Sequence, residues 1–284
     1  MSREQAVSRS DRATQARQTV RILEDGSYVL PDGQTVALAQ DIKRCVDNTR
    51  LLTPGELTAL AGTLSMPEPT SSCVIEVENE TTLAGIRRLL AEGAAPVAAL
   101  NFASARNPGG GFLGGAQAQE ESLARSSGLY VSLLVAEAYY ERHRSSASLL
   151  YSDSLILSPH CPVFRDDEGT LLPLPHHVTF ISGPAPNAGA LRDQRSAEQA
   201  QIPAVLRRRI GYVLALAAAE GYRDLVLGAW GCGVFRNDPQ LVARTFMELL
   251  RGDRWDRCFS RILFAVLDRP AGSTIAAFRE ALQP

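Results

Sequence analysis

Lysine is almost missing from this chain. Of 29 basic residues only Lys43 is a lysine, and every other one is an arginine. A phosphate loop of the G-x-x-x-x-G-K-[ST] type needs a lysine behind its glycines, and none follows Lys43, so that nucleotide-binding class is excluded. Cysteine is scarce and scattered: Cys45, Cys73, Cys161, Cys232 and Cys258 are odd in number and hold no C-x-x-C pair. They read as reduced thiols of a cytoplasmic protein, with neither a disulfide framework nor a zinc site. His143, His160, His176 and His177 lack metal-ligand spacing and read as strand-edge or loop residues. No stretch approaches the ~18 uninterrupted apolar residues of a membrane span. The opening MSREQAVSRSDRATQARQTV is polar and charged where a secretory signal carries its apolar run. Neither charge is in excess, 29 basic against 31 acidic, which argues against a broad nucleic-acid-binding face.

What remains is an ordinary soluble composition, 45% hydrophobic and 21% charged over 284 residues. Such a length can bury roughly 75% of its unfolded surface without a covalent staple. Residues 1–68 differ from the rest. A helix is expected from Arg12 to Leu23, then a hairpin of Tyr28–Leu30 and Thr35–Ala37 around Pro31-Asp32-Gly33. A helix from Leu38 to Asn48 and a short one opening at Pro54 complete a segment read as packing or lid material. From residue 69 onward apolar runs alternate with helical periodicity. Strands are expected at Cys73–Val77, Val97–Phe102, Leu155–Leu157, Val178–Ile181, Leu225–Ala229 and Ile262–Leu267. Helices are expected at Thr81–Glu92, around Leu206–Ala217 and at Leu241–Leu250. Alternation of this kind predicts an α/β layered domain with a largely parallel sheet covered on both faces.

The most informative stretch follows the Val97–Phe102 strand. Asn101 and Asn107 precede Gly109, Gly110, Gly111, Gly114 and Gly115, and then come Gln119, Glu120 and Glu121. Glycines at this density suit positive φ or close backbone approach to a ligand, since each costs chain entropy and brings no side chain. A loop between a strand's carboxyl end and a helix is where open α/β sheets bind ligands, and its N–H groups favour an anion such as a phosphate. Gly109-x-Gly111-x-x-Gly114 fits the dinucleotide fingerprint by letter, but seven residues separate Gly111 from the helix that the fingerprint would open at once.

Glu120 and Glu121 fall in the first turn of that helix, about 100° apart, so they cannot serve the same atom in the same way. One can hold a substrate while the other exchanges a proton. The plainer alternative is that acidic residues favour first helical turns. A second strand, glycine loop and helix start recurs at Gly231-Cys232-Gly233-Val234-Phe235. Two such loops at neighbouring strand ends can close over a diphosphate without lysine. Phe235 suits stacking on a base or ribose, or core filling. Cys232 lacks a histidine near it in sequence, and its small side chain suits close backbone approach better than nucleophilic attack.

The run Gly109-Gly110-Gly111, a seven-residue spacer and Gln119-Glu120-Glu121 resembles the signature of the poly(ADP-ribose) glycohydrolases. Asn101, Asn107, the Gly231–Phe235 loop and the N-terminal segment are similar to the compact bacterial-type branch. The resemblance implies a three-layer α/β/α macrodomain-like core with a mixed, largely parallel sheet and a small N-terminal helical and hairpin extension. The expected division is an accessory segment, 1–68, packed on an ADP-ribose-binding catalytic domain, 69–284. It further implies hydrolysis of ribose–ribose O-glycosidic bonds of poly(ADP-ribose) on modified proteins, with ADP-ribose released and ADP-ribosylation reversed in the DNA damage response. Glu121 corresponds to the acid/base and Glu120 to its ribose-binding partner. Gln119 fixes the loop, Gly109–Gly111 line the diphosphate and distal ribose, and Asn107 meets ribose hydroxyls. Gly231, Cys232, Gly233, Val234 and Phe235 form the second phosphate loop. Adenine contacts are expected around Glu78, Asn79 and Thr82. Neither metal nor cofactor is implied, and the protein is expected to be a cytoplasmic monomer that binds neither DNA nor membrane. An ADP-ribose reader without turnover and a hydrolase of single protein-linked ADP-ribose units are the alternatives.

Overall fold

The computed structural model describes residues 8–65, 67, 68, 72–94, 96–194 and 196–282. Residues 1–7 of the polar opening, and residue 69 at the expected domain junction, lie outside the described residues.

The N-terminal helix α1 (Arg9–Asp25) starts on a capping box. Ser8 Oγ accepts the Asp11 N–H while the Asp11 carboxylate accepts from the Ser8 N–H, and Gly26 closes the helix at φ +65°. Strands β1 (Ser27–Val29) and β2 (Thr35–Ala37) pair antiparallel as the expected hairpin. Helix α2 (Ala39–Asp47), strand β3 (Arg50–Leu52) and helix α3 (Pro54–Thr63) follow. The α3 start carries a second capping box, Thr53 with Glu56, and Pro54 in the first turn. Beyond them lie β4 (Val74–Glu78), α4 (Thr82–Ala91), β5 (Val97–Phe102), α5 (Gln119–Ser126), α6 (Leu129–Val135) and α7 (Glu137–Ser145). Then come β6 (Leu155–Arg165), β7 (Leu171–Gly183), α8 (Ala188–Asp193), α9 (Ile202–Ala219), β8 (Asp224–Leu227), α10 (Pro239–Met247), β9 (Arg261–Ala265) and α11 (Ser273–Leu282).

Seven strands form one sheet in the order β3-β6-β7-β5-β8-β9-β4. The neighbours from β7 through β5, β8 and β9 to β4 are all parallel, and β6 runs antiparallel to both β3 and β7. Strand β5 shows why both faces must be covered. Ala98 and Leu100 join the apolar layer of α3, α9, α10 and α11, whereas Val97 and Ala99 join that of α2, α4, α5, α6 and α7. The three-layer, mixed and largely parallel α/β/α arrangement expected from the sequence is therefore present. The near-continuous apolar run of β5 is the mark of a strand buried on both sides.

Three expectations need correction. β3 pairs with β6 inside the main sheet, so part of residues 1–68 belongs to the core sheet itself. Strands β6 and β7 are 11 and 13 residues long, far beyond the short runs expected, because the pair continues as a two-stranded hairpin past the sheet. Helix α10 stops at Met247 and the chain continues to Gly252 as a π turn. The decisive feature for function is that β5 and β8 are direct parallel neighbours, so their carboxyl ends, and the two glycine loops that leave them, lie side by side.

Candidate active site

Residues 103–118 leave β5 and return to α5 along the carboxyl edge of the sheet. Gly110 N–H donates to Asn107 O at 3.0 Å, and Gly109 and Gly110 adopt φ +68° and +61°. A Cβ on Gly110 would stand 2.9 Å from Glu121 Cδ and 3.2 Å from Glu120 Oε2, so a side chain there would push the Glu121 carboxylate from its place. Here glycine is required both by backbone conformation and by the groups it faces.

Three consecutive residues of α5 point three ways, as helical geometry demands. Gln119 closes the loop: its Oε1 accepts Phe102 N–H at 2.9 Å, and its Nε2 donates to Leu100 O at 2.7 Å and Thr82 Oγ1 at 3.1 Å. Glu120 points inward and is 3% exposed. Its Oε2 accepts Ser104 N–H at 2.7 Å, and its Oε1 lies 3.4 Å from Asn101 Nδ2, which also donates to Ser182 Oγ at 2.9 Å. Burial lifts the Glu120 carboxyl to about 8 against the opposing N–H groups of Ser104 and Gly109, and the charge on Glu121 pushes the same way. Glu120 therefore carries its proton at neutral pH. Glu121 is half-buried, and its Oε1 accepts the Gly111 N–H at 3.0 Å.

The second loop follows β8. Gly231 takes φ +73°, and Asn237 Nδ2 pins the turn by donating to Gly231 O at 3.1 Å and Pro186 O at 2.8 Å. Burial, with Asp238 adding, pushes the Cys232 thiol to about 12, so it is not a thiolate nucleophile. The Phe235 ring is half-buried, 5.9 Å from the Tyr151 ring.

A cavity of about 690 Å³ opens between the loops, large enough for a dinucleotide-sized ligand. Gln119, Gly231, Cys232, Gly233, Val234 and Phe235 line it. Asn101, Glu120, Glu121 and Gly109–Gly111 form the hydrogen-bonded cluster at its edge and are not among its lining residues. Asn107 is exposed and enters neither group by its side chain. Thr82 lines the cavity, whereas Glu78 and Asn79 do not, and the Asn79 side chain is tied to the backbone of Asp268.

Sequence reasoning missed the wall that α1 provides. Arg12 and Gln15 line the cavity, as do Arg125, Arg165 and Asp167. Arg9 Nε donates to Gly114 O at 3.0 Å and Arg12 Nε to Gly115 O at 2.9 Å, so α1 clamps the glycine loop. Arg165 is buried among neutral acceptors, Thr19 Oγ1 at 2.5 Å, Gln18 Oε1 at 2.9 Å and the Arg125 carbonyl. Thr81 Oγ1 donates to Asp167 Oδ2 at 2.7 Å and joins the start of α4 to the β6–β7 turn. Nothing in the sequence marks these arginines, because a helical or strand-end arginine is ordinarily a solvated one.

Together these features define a three-layer α/β/α protein with paired carboxylates set beside a nucleotide-sized cavity at the carboxyl edge of its sheet. The chain belongs to the microbial-type poly(ADP-ribose) glycohydrolase (PARG) family: residues 16–166 match the family described as microbial-type PARG, catalytic domain. It is 48% identical to the PARG of Thermomonospora curvata, with 96% of this chain and 100% of that one covered at a TM-score of 0.92. The same enzyme bound to the inhibitor ADP-HPD aligns at 47% identity over 95% of this chain and 99% of that one, TM-score 0.86. PARG from Deinococcus radiodurans in complex with ADP-ribose is 51% identical over 85% of this chain and 97% of that one, TM-score 0.80. No curated protein matches the chain.

Proposed function

We propose that this protein is a poly(ADP-ribose) glycohydrolase that cleaves ribose–ribose O-glycosidic bonds and releases ADP-ribose, with Glu121 as its acid/base. ADP-ribose occupies the cavity between the two glycine loops. Glu120, neutral and buried, donates a hydrogen bond to the ribose next to the scissile bond. Glu121 enters the reaction in its protonated form and gives that proton to the leaving ribose oxygen, C1 takes on oxocarbenium character as the glycosidic bond breaks, and Glu121 is left as the carboxylate. The Glu121 carboxylate then removes a proton from the water that attacks C1. Diphosphate oxygens held by the loop N–H groups offset the developing positive charge. The observation that carries this reading is the half-buried Glu121 carboxylate, held by the Gly111 N–H, directly beside a second carboxyl kept neutral by burial. Family membership supports the substrate class.

The part of residues 1–68 outside the sheet acts as an accessory segment that buttresses the first loop through α1. Among the described residues no helix is long and apolar enough to cross a membrane. The protein works as a monomer in the cytoplasm, on poly(ADP-ribose) attached to other proteins.

Glu121→Gln tests the reading. It should bind ADP-ribose like the wild type by calorimetry while release of ADP-ribose from labelled polymer falls by about 10²–10⁴, the usual contribution of a positioned acid/base. Undiminished turnover would remove Glu121 from the mechanism.

A further inference from the structure

A polymer that places one unit in the cavity extends beyond that unit, and a basic surface borders the loop whose Ser104 N–H holds Glu120. Arg106 lies on the loop between Ser104, whose N–H holds Glu120, and Gly109, and it is exposed. Arg144, in the last turn of α7, donates from Nη1 to the Arg106 carbonyl at 3.2 Å, so the two residues share one patch. Arg142 lies on the same turn. Among the described residues neither Arg106 nor Arg142 has an ion-pair partner, and the Arg144 contact to Glu137 is long, 3.9 Å, between groups 45% and 72% exposed. Exposed pairs of that length contribute little, so these guanidinium groups are available to an outside anion. None of the three lines the cavity.

We infer that Arg106 and Arg144 form an anion subsite, outside the cavity lining, for the diphosphate of the departing polymer unit. The inference rests on the glycohydrolase reading above. It assigns this patch to the leaving strand and the cavity to the released unit. Arginine is suited to it, since its planar fork matches phosphate oxygens and its charge is permanent.

Arg106→Gln, Arg144→Gln and the double variant test it with labelled poly(ADP-ribose) and free ADP-ribose side by side. Each single change should raise KM for polymer about threefold and the double change about tenfold. kcat and the ADP-ribose Kd should stay at wild-type values. The dependence of log KM on log salt should flatten in the double variant, because fewer phosphate contacts release fewer counterions. Arg106→Gln keeps the backbone carbonyl that Arg144 uses, so it separates charge from loop support. Unchanged polymer KM and salt slope in the double variant would overturn the subsite. So would an ADP-ribose Kd weakened in step with polymer KM, which would put the arginines in the cavity's own service. Failure of the wild type to release ADP-ribose from polymer would instead strike the functional reading itself.

Discussion

Burial sets the protonation of Glu120. Its folded carboxyl titrates at about 8, above the ordinary glutamate value of roughly 4.3. A raised folded value means that stability is fully present below the unfolded value and declines as pH climbs toward 8, because the unfolded chain gives up its proton first. Glu120→Gln has no such proton to lose and keeps an acceptor for Ser104. Denaturant midpoints of wild type and variant should therefore coincide near pH 4 and diverge from pH 5 to 8 in favour of the variant. The gap should reach a few kcal/mol, at about 1.4 kcal/mol per pKa unit, and level off above pH 8. Parallel curves would mean that Glu120 is ionised in the fold. Tyr151 offers a second residue-scale test. It holds φ +60°, a conformation costing a side chain about 1–2 kcal/mol, fixed by Arg209 Nη2 on its carbonyl and by Ser152 N–H on His143 Nε2. Tyr151→Gly should be about 1 kcal/mol more stable than Tyr151→Ala in urea, since both lose the ring and only alanine keeps the strain. The paired glutamates and their glycines were legible in the sequence because clustered glycine has few structural uses. Arg125 and Arg165 were not, because burial of an arginine among neutral acceptors leaves no trace in spacing.

Among the elements, α1 acts at a distance. Arg9 is exposed and lies outside the cavity lining, yet it holds the Gly114 carbonyl of the loop that presents Gly110 to both glutamates. Arg9→Ala should lower kcat/KM on polymer up to about tenfold, the equivalent of one ordinary hydrogen bond, with the melting temperature nearly unchanged. A fall in stability without a fall in activity would make the clamp merely structural. The core strands β5, β8 and β9 were readable because doubly covered parallel strands show continuous apolar runs, whereas edge strand β4 showed as a short β-branched run. Strands β6 and β7 were not read at full length. Pro159, Pro162, Pro173 and Pro175 interrupt them, and register shifts between Ser158 and Cys161 break the alternation that a half-buried strand would show. Three-residue β3 is too short to carry a period at all. Helices α6, α7 and α11 also went unread.

Across the whole molecule the layers are tied by a buried charge. Arg209 on α9 is fully buried, within 3.0 Å of Asp153 Oδ1, and donates to the Leu150 and Pro184 carbonyls, joining a helical layer to the segments that flank β6 and β7. Asp153→Ala would strand that guanidinium in the interior. It should cost about 3–5 kcal/mol in global unfolding, far more than loss of an exposed pair such as Arg207 with Glu248. Equal effects from the two deletions would show that solvent reaches Arg209.

The arginine-only chemistry has one practical consequence. Lys43 is the single lysine, it sits exposed on α2, and no residue of α2 lines the cavity. An amine-reactive dye or tether directed at lysine thus meets one lysine anchor along these 284 residues, on a helix that takes no part in the cavity wall, and leaves the mouth open to substrate.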